Sequence, residues 1–315
     1  MTRWPPPRPL PRRSRAEAQG GTDHPGIGAT THVKFKHGMV APLIALFLGV
    51  VGFPLGYAFY LSITDFRLTE HGAPNIVGAK NYLATLQDGE FWHAFATTAI
   101  FVCVAVSLEL LVGLAIALAL QKQRWARDLT RSMLLAPMFI TPIAVGLTFR
   151  FLLNDQIGAI PTMLRAIGID YDFFGPGRAL FTLAFIDVWQ WTPFMVLLLL
   201  AGLESIPREP VEAARVDGAS GWYVLRRVTL PLLAPVLVVA ILLRCLDAMK
   251  VFEYVFAITR GGPGTETETL QYFVYQTGIQ FFRLGSASSM AFVVLLLVLA
   301  IIVFAFRRID KARQS

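Results

Sequence analysis

Charge is scarce in this chain of 315 residues: Asp, Glu, Lys and Arg together make up 16% of it, against 55% hydrophobic residues. A water-soluble domain carries about a quarter charged residues, so an ordinary soluble globule is excluded by composition. Cysteine is scarcer still. Cys103 and Cys245 both fall in apolar stretches, which excludes a disulfide scaffold and, without nearby His spacing, a zinc site. Both read as small buried hydrophobes. The five histidines, His24, His32, His37, His71 and His93, lie in the N-terminal segment or in loops and read as solvated. No Gly-x-x-x-x-Gly-Lys-Ser/Thr phosphate loop, His-x-x-x-His pair or Ser-centred nucleophile elbow occurs. The expectation is a chain that is not an enzyme, holds no metal and binds no cofactor of its own.

What is abundant is apolar sequence in long runs. A bilayer core about 30 Å thick needs about 20 mostly apolar helical residues. Met39–Ile63, Thr97–Leu120, Ser132–Leu153, Leu180–Leu203, Pro231–Lys250 and Ala287–Arg307 meet that length. The reading is an all-α integral membrane protein of six transmembrane helices, its membrane domain running over residues 39–307. Residues 1–38, rich in Pro, Arg and Gly and lacking the apolar run of a signal peptide, read as a disordered basic tail. Residues 308–315 form a second tail.

The net charge of +7 invites a nucleic-acid partner, but the basic residues flank the apolar spans. Lys122, Arg124, Arg127 and Arg131 follow the second span, and Arg208, Arg215, Arg226 and Arg227 follow the fourth. Arg307, Arg308, Lys311 and Arg313 end the chain, and the N-terminal tail adds Arg12, Arg13, Lys34 and Lys36 among others. The remaining loops hold only Arg67, Lys80, Arg165, Arg178, Arg260 and Arg283. That bias predicts both termini on the cytoplasmic side and membrane lipid, not nucleic acid, as the surroundings.

Two features go beyond span counting. The cytoplasmic stretch 204–230 is long for a connector and reads as two short helices. Pro207 and Pro210 open the first, Glu212, Ala213 and Ala214 lie on it, and Asp217-Gly218-Ala219 breaks it. Ser220 caps the second. A short helix with a small-residue face suits docking into a partner's groove, and equally suits lying on lipid. The second feature is charge inside the spans, at Glu109, Asp187, Arg244 and Asp247. Such residues face protein or water. Asp187, Gln190, Trp191 and Phe194 share one face of the fourth span, and Arg244, Asp247, Ala248 and Val251 share one face near the end of the fifth. These stripes either line a path for a polar solute or neutralise each other across a packing contact. Glu109 reads as an interhelical polar contact.

The series Glu212-Ala213-Ala214, Asp217-Gly218-Ala219 and Leu230-Pro231 resembles the "EAA" motif of ABC-importer permeases. Thr259-Arg260-Gly261-Gly262-Pro263-Gly264 with Thr267-Glu268-Thr269-Leu270 is similar to the Gly-Gly-Pro loop of the maltose/lactose/glycerol-phosphate type of first permease subunit. Arg260 stands where Gly or Asn is more usual. Trp191-Thr192-Pro193-Phe194 resembles the fourth span of the same class. The resemblance covers nearly the whole chain after Phe35.

It implies a type I ABC importer permease fold in a bacterial cytoplasmic (inner) membrane. The implied partners are a second permease subunit, a dimer of ATPase subunits carrying ATP and Mg and docking on the 204–230 loop, and an extracytoplasmic solute-binding protein. The implied substrate is a carbohydrate, with glycerol phosphate esters or another polar solute as the alternative. An ion-coupled secondary transporter stands further off, since no internal repeat is visible. The resemblance also implies a mid-membrane substrate path at Asp187, Gln190, Trp191, Phe194, Arg244, Asp247, Ala248 and Val251.

Overall fold

A computed structural model describes residues 42–70, 72–123 and 127–314. The basic-tail reading of residues 1–38 lies outside them, as does the start of the first span. The described residues are mostly helical, and the backbone falls into two compact units, one ending at Gly56 and the other starting at Tyr57. The first unit holds the opening turns of α1 (Pro42–Ser62), including a π-helical turn at Leu48–Gly52, with its apolar side chains exposed.

The second unit is built on three long helices. α3 (Gly89–Lys122) starts where the Asp88 carboxylate accepts a hydrogen bond from Glu90 N at 2.9 Å. α7 (Ala179–Ser205) ends at Ile206, which the following Pro207 holds extended. α9 (Gly221–Ala248) packs against both α3 and α7. Phe101, Ala105, Leu183, Met195, Leu199, Leu203 and Leu233 fill the space between them. Short α2 (Lys80–Gln87) lies on α11 (Leu284–Gln314). α10 (Leu270–Tyr275) packs on α3, with Phe91, Phe273, Met290 and Val293 forming a second core. Short α6 (Ala159–Ala166) precedes α7, and between α7 and α9 stands α8 (Arg208–Val216).

The third apolar stretch is not one straight helix. α4 (Arg127–Leu135) runs into a 3-10 turn at Ala136–Phe139, and α5 (Pro142–Leu152) then leaves at 89°. The residue before a proline is driven out of the helical region, and Thr141 accordingly sits at φ −63°, ψ 136° with Ile140 extended before it. Pro142 therefore breaks the span that the hydropathy pattern shows as continuous.

The second short helix of the 204–230 loop is also not separate. From Ser220 onward the chain is helical into the fifth span, through a π-helical turn at Leu225–Thr229 in which Leu230 N donates to Leu225 O just before Pro231. At the other end α11 continues to Gln314 through the expected C-terminal tail, with no Gly or Pro after Gly285 to stop it. Cys103 is exposed and Cys245 half-buried, so Cys103 is not the buried hydrophobe its surroundings predict.

Helices in lipid gain no hydrophobic drive toward one another, and close backbone approach at small residues supplies the packing instead. Gly202 is such a point: a Cβ there would lie 2.7 Å from Leu233 Cδ1 and 2.8 Å from Val236 Cγ1, both on α9. Gly202→Leu is expected to force α7 and α9 apart at roughly 1–3 kcal/mol. It should lower the unfolding temperature of the detergent-purified protein, whereas Gly49→Leu, where a Cβ meets no described residue within 4 Å, should leave it in place. Equal midpoints for the two variants would refute the packing contact.

Candidate functional site

Two regions carry the sequence's functional signals, and one helix joins them. The first is α8. Its C-terminus closes with Ala219 N donating to Ala214 O at 3.0 Å and Gly218 N donating to Arg215 O at 3.1 Å, Gly218 being at φ +80°. That pair of bonds is the Schellman ending, and it explains why the Glu-Ala-Ala run must be followed by Asp217-Gly218. Ser220 then caps α9, its hydroxyl accepting from Tyr223 N at 3.3 Å. Glu212, Ala213, Asp217 and Gly218 are exposed, and Ala214 and Ala219 are half-buried. Around them Val216, Trp222 and Tyr223 present their apolar surface outward, Val216 at 87% exposure.

The second region lies within the membrane-spanning part. The Arg244 side chain is 1% exposed and gathers carboxylates from three helices. Its Nε sits 2.7 Å from Glu109 Oε2 on α3, in ion-pair contact though off the hydrogen-bond axis. Nη2 donates to Glu109 Oε1 at 2.9 Å and to Asp187 Oδ2 on α7. Nη1 donates to Asp247 Oδ2 at 2.9 Å, one turn along α9. The guanidinium also stands over the Trp191 ring, 5.2 Å from its centroid. Asp187, Trp191, Arg244 and Asp247, four of the residues expected along the path, thus meet. Glu109 is the interhelical contact the sequence predicts, and Arg244 is its partner. The sequence did not identify that partner, because α3, α7 and α9 converge only through packing.

A cavity of about 260 Å³ opens beside this cluster. Asp187, Trp191, Arg244, Asp247, Ala248 and Val251 line it, together with Pro142, Lys250, Glu253 and Tyr254. Gln190 and Phe194, expected in the path, are not in the lining. Phe194 packs edge-on to Trp191 with ring centroids 6.5 Å apart. Gln190 is fully buried and braces the broken span: its Nε2 donates to Ile140 O at 2.7 Å, and its Oε1 accepts from Tyr254 OH at 2.6 Å. The break at Pro142 frees that carbonyl, and a freed backbone group in a membrane interior needs a partner. Tyr254 was missed although the α9 stripe, extended one further turn past Val251, reaches it; Glu253 falls off that stripe. α9 itself stops at Ala248.

The Gly-Gly-Pro loop is tied down at several points. Arg260 is left-handed at φ 52°, which is why Gly or Asn suits that position. The Gly262–Pro263 peptide is cis. Thr267 Oγ1 donates to Gly262 O at 2.7 Å, Thr269 Oγ1 to Val251 O at 3.0 Å, and Leu270 N to Thr98 Oγ1 on α3 at 2.8 Å. His93, on α3 and not in a loop, lies 3.3 Å from Thr265 O. Burial, reinforced by neighbouring Glu90, holds the Glu268 carboxyl above its usual range, while His93 opposes the shift.

Residues 109–314 match the family described as binding-protein-dependent transport system inner membrane component. A probable ABC transporter permease protein of Sinorhizobium fredii, y4oQ, is 38% identical over 82% of this chain and 85% of its own length. The trehalose/maltose transport system permease protein MalF of Thermococcus litoralis is 36% identical over 87% of this chain and 95% of its own. Among solved structures, a bacterial alginate ABC transporter in complex with an alginate pentasaccharide-bound periplasmic protein superposes with a TM-score of 0.74. That match has 25% identity and covers 89% of this chain and 96% of the other.

The Gln190 bridge gives a direct test of how the site is held. Gln190→Leu strands the Ile140 carbonyl and the Tyr254 hydroxyl, each such loss costing about 1–3 kcal/mol. The expected result is a clear fall in the thermal midpoint, with Tyr254→Phe falling less because Gln190 then keeps its bond to Ile140. A Gln190→Leu protein as stable as wild type would show that the bend needs no brace.

Proposed function

This chain belongs to the binding-protein-dependent transport system inner membrane components, and from that premise we propose that it is the permease subunit of an ATP-driven importer whose solute is a carbohydrate. As a permease of this family it is a transport component and not an enzyme. The carbohydrate class is supported by the trehalose/maltose permease relative and by a lining that suits hydroxyl groups: carboxylates that accept from them and an indole that stacks on an apolar ring face.

The observation that carries the reading is the order of elements along the chain. α7 delivers Asp187 to the ion cluster and ends at Ser205, and α8 follows after two residues. α9 begins after three residues beyond the Asp217 cap, at Gly221, and runs about 35 Å to carry Arg244 and Asp247. A push on α8 is thus passed directly to two of the three helices that hold the cluster. The ATPase dimer docks on α8 from the cytoplasm, with both termini of this chain on that side. ATP-driven closure of the dimer rocks α7 and α9 and alternates access to the cavity. A second permease subunit completes the path, and an extracytoplasmic binding protein delivers the solute. ATP and Mg act on the ATPase subunits. The local ties support this use: Arg131 Nη2 donates to Glu204 Oε1 at 2.7 Å, anchoring the end of α7 beside the loop.

Substrate-stimulated ATPase activity of the reconstituted complex, wild type against Glu212→Lys, tests the coupling role. Glu212 is exposed and its replacement leaves the fold in place. The expected result is a variant complex that assembles but loses at least 10-fold of its stimulation. Undiminished stimulation would reduce α8 to a connector.

A further inference from the structure

The cavity beside Arg244 contains a guanidinium, the group best suited to a phosphate, sulfonate or uronate. Its hydrogen bonds decide whether it serves one. A guanidinium has five N–H donors. Nε is in contact with Glu109, both Nη2 hydrogens are taken by Glu109 and Asp187, and one on Nη1 is taken by Asp247. One face lies over Trp191. Among the described residues a single N–H is left, too few for the forked grip by which Arg holds an anion.

The charge balance points the same way. Three carboxyl groups surround one guanidinium, and carrying a proton on any one of them still leaves no surplus positive charge. Lys250 and Glu253, one of each sign, are both exposed on the remaining lining. Asp247 differs from the other two acids. Its side chain is 53% exposed toward the cavity, while those of Glu109 and Asp187 are 0% and 4% exposed. One Asp247 oxygen is held by Arg244 and the group as a whole is oriented, a preset acceptor for a hydroxyl.

From this arrangement we infer that the cavity selects an uncharged, hydroxyl-bearing solute and rejects anionic ones, with Asp247 as the residue that sets the selection. Arg244 acts as a positioning residue that fixes the Asp247 carboxylate and the Trp191 ring, and it does not touch the solute. The inference rests on the importer reading above and narrows its substrate class: a glycerol phosphate ester gripped by Arg244 does not fit.

The test uses the complete complex with its binding protein in proteoliposomes and reads ATPase stimulation. One panel is uncharged (trehalose, maltose, sucrose, glycerol, sorbitol), the other anionic (glycerol 3-phosphate, glucuronate, an alginate oligosaccharide). Each is run with wild type, Asp247→Asn and Asp247→Lys. The binding protein is the same in every arm, so a change between wild type and variant belongs to the permease. Expected is stimulation of wild type by an uncharged member only. The half-saturating concentration for that solute should rise about 10-fold in Asp247→Asn, the loss of a charge-assisted hydrogen bond, and further in Asp247→Lys. Two results overturn the inference and leave the importer standing: wild type answering to an anionic solute, or Asp247→Asn staying within 2-fold of wild type. A wild-type complex that hydrolyses ATP but answers to neither panel contradicts the importer reading and the inference together.

Discussion

A guanidinium taken out of water must find carboxylates, and Arg244 finds them on three different helices. Most of the membrane-embedded arrangement follows from that need. α3 must bring Glu109 to it, α7 must bring Asp187, and α9 must present Arg244 and Asp247 on one face. Apolar packing among Phe101, Leu183, Met195 and Leu233 holds the helices at the required distance. In lipid that packing does little to choose one rotation of a helix over another, because apolar side chains are as well accommodated outside as inside. A charge that can be neutralised in one register only does choose.

The same cluster sits at the far end of the two helices that flank α8. α8 is short and stiff: proline at its entry, a Schellman turn at its exit, and a helix cap at Ser220 immediately after. No slack separates it from α7 or α9. The π-helical turn at Leu225–Thr229 and the break at Pro142 are two departures from straight helix between α8 and the cavity region, and both fall where proline removes a backbone donor. Backbone groups released at the break are taken up by Gln190, so the bend is held rather than loose.

Much of this was legible from residue types and spacing. Six apolar stretches of bilayer length, a left-handed glycine after Glu-Ala-Ala, and charges inside spans that had to be satisfied each rest on a local rule; among the described residues five helices are long and apolar enough to cross a bilayer, and the third stretch is a bent pair. Less legible was everything decided by convergence. Hydropathy treats Pro137 and Pro142 as tolerated interruptions, since composition does not reveal an 89° turn; only the conformational restriction on Thr141 does. Periodicity put Gln190 and Phe194 on the face of Asp187 correctly, but a shared face spans more than a cavity. Gln190 was drawn to the freed carbonyl of Ile140, and Phe194 to the edge of Trp191. The sequence left open whether Arg244 and Asp247 neutralise each other or line a path. In the structure they pair with each other and both line the cavity, because Asp247 is held through one oxygen while half its side chain stays exposed.

The central claim is that the buried charges at Glu109, Asp187 and Arg244 act as one unit that sets the helix arrangement, and thermal unfolding of purified variants measures it most directly. Arg244→Met alone should destabilise by about 3–5 kcal/mol, since it leaves two carboxylates buried without their partner. Removing the unit whole, as Arg244→Met with Glu109→Leu and Asp187→Leu, should recover most of that loss. A single variant no less stable than wild type, or a triple variant at least as damaged as the single, would contradict the account.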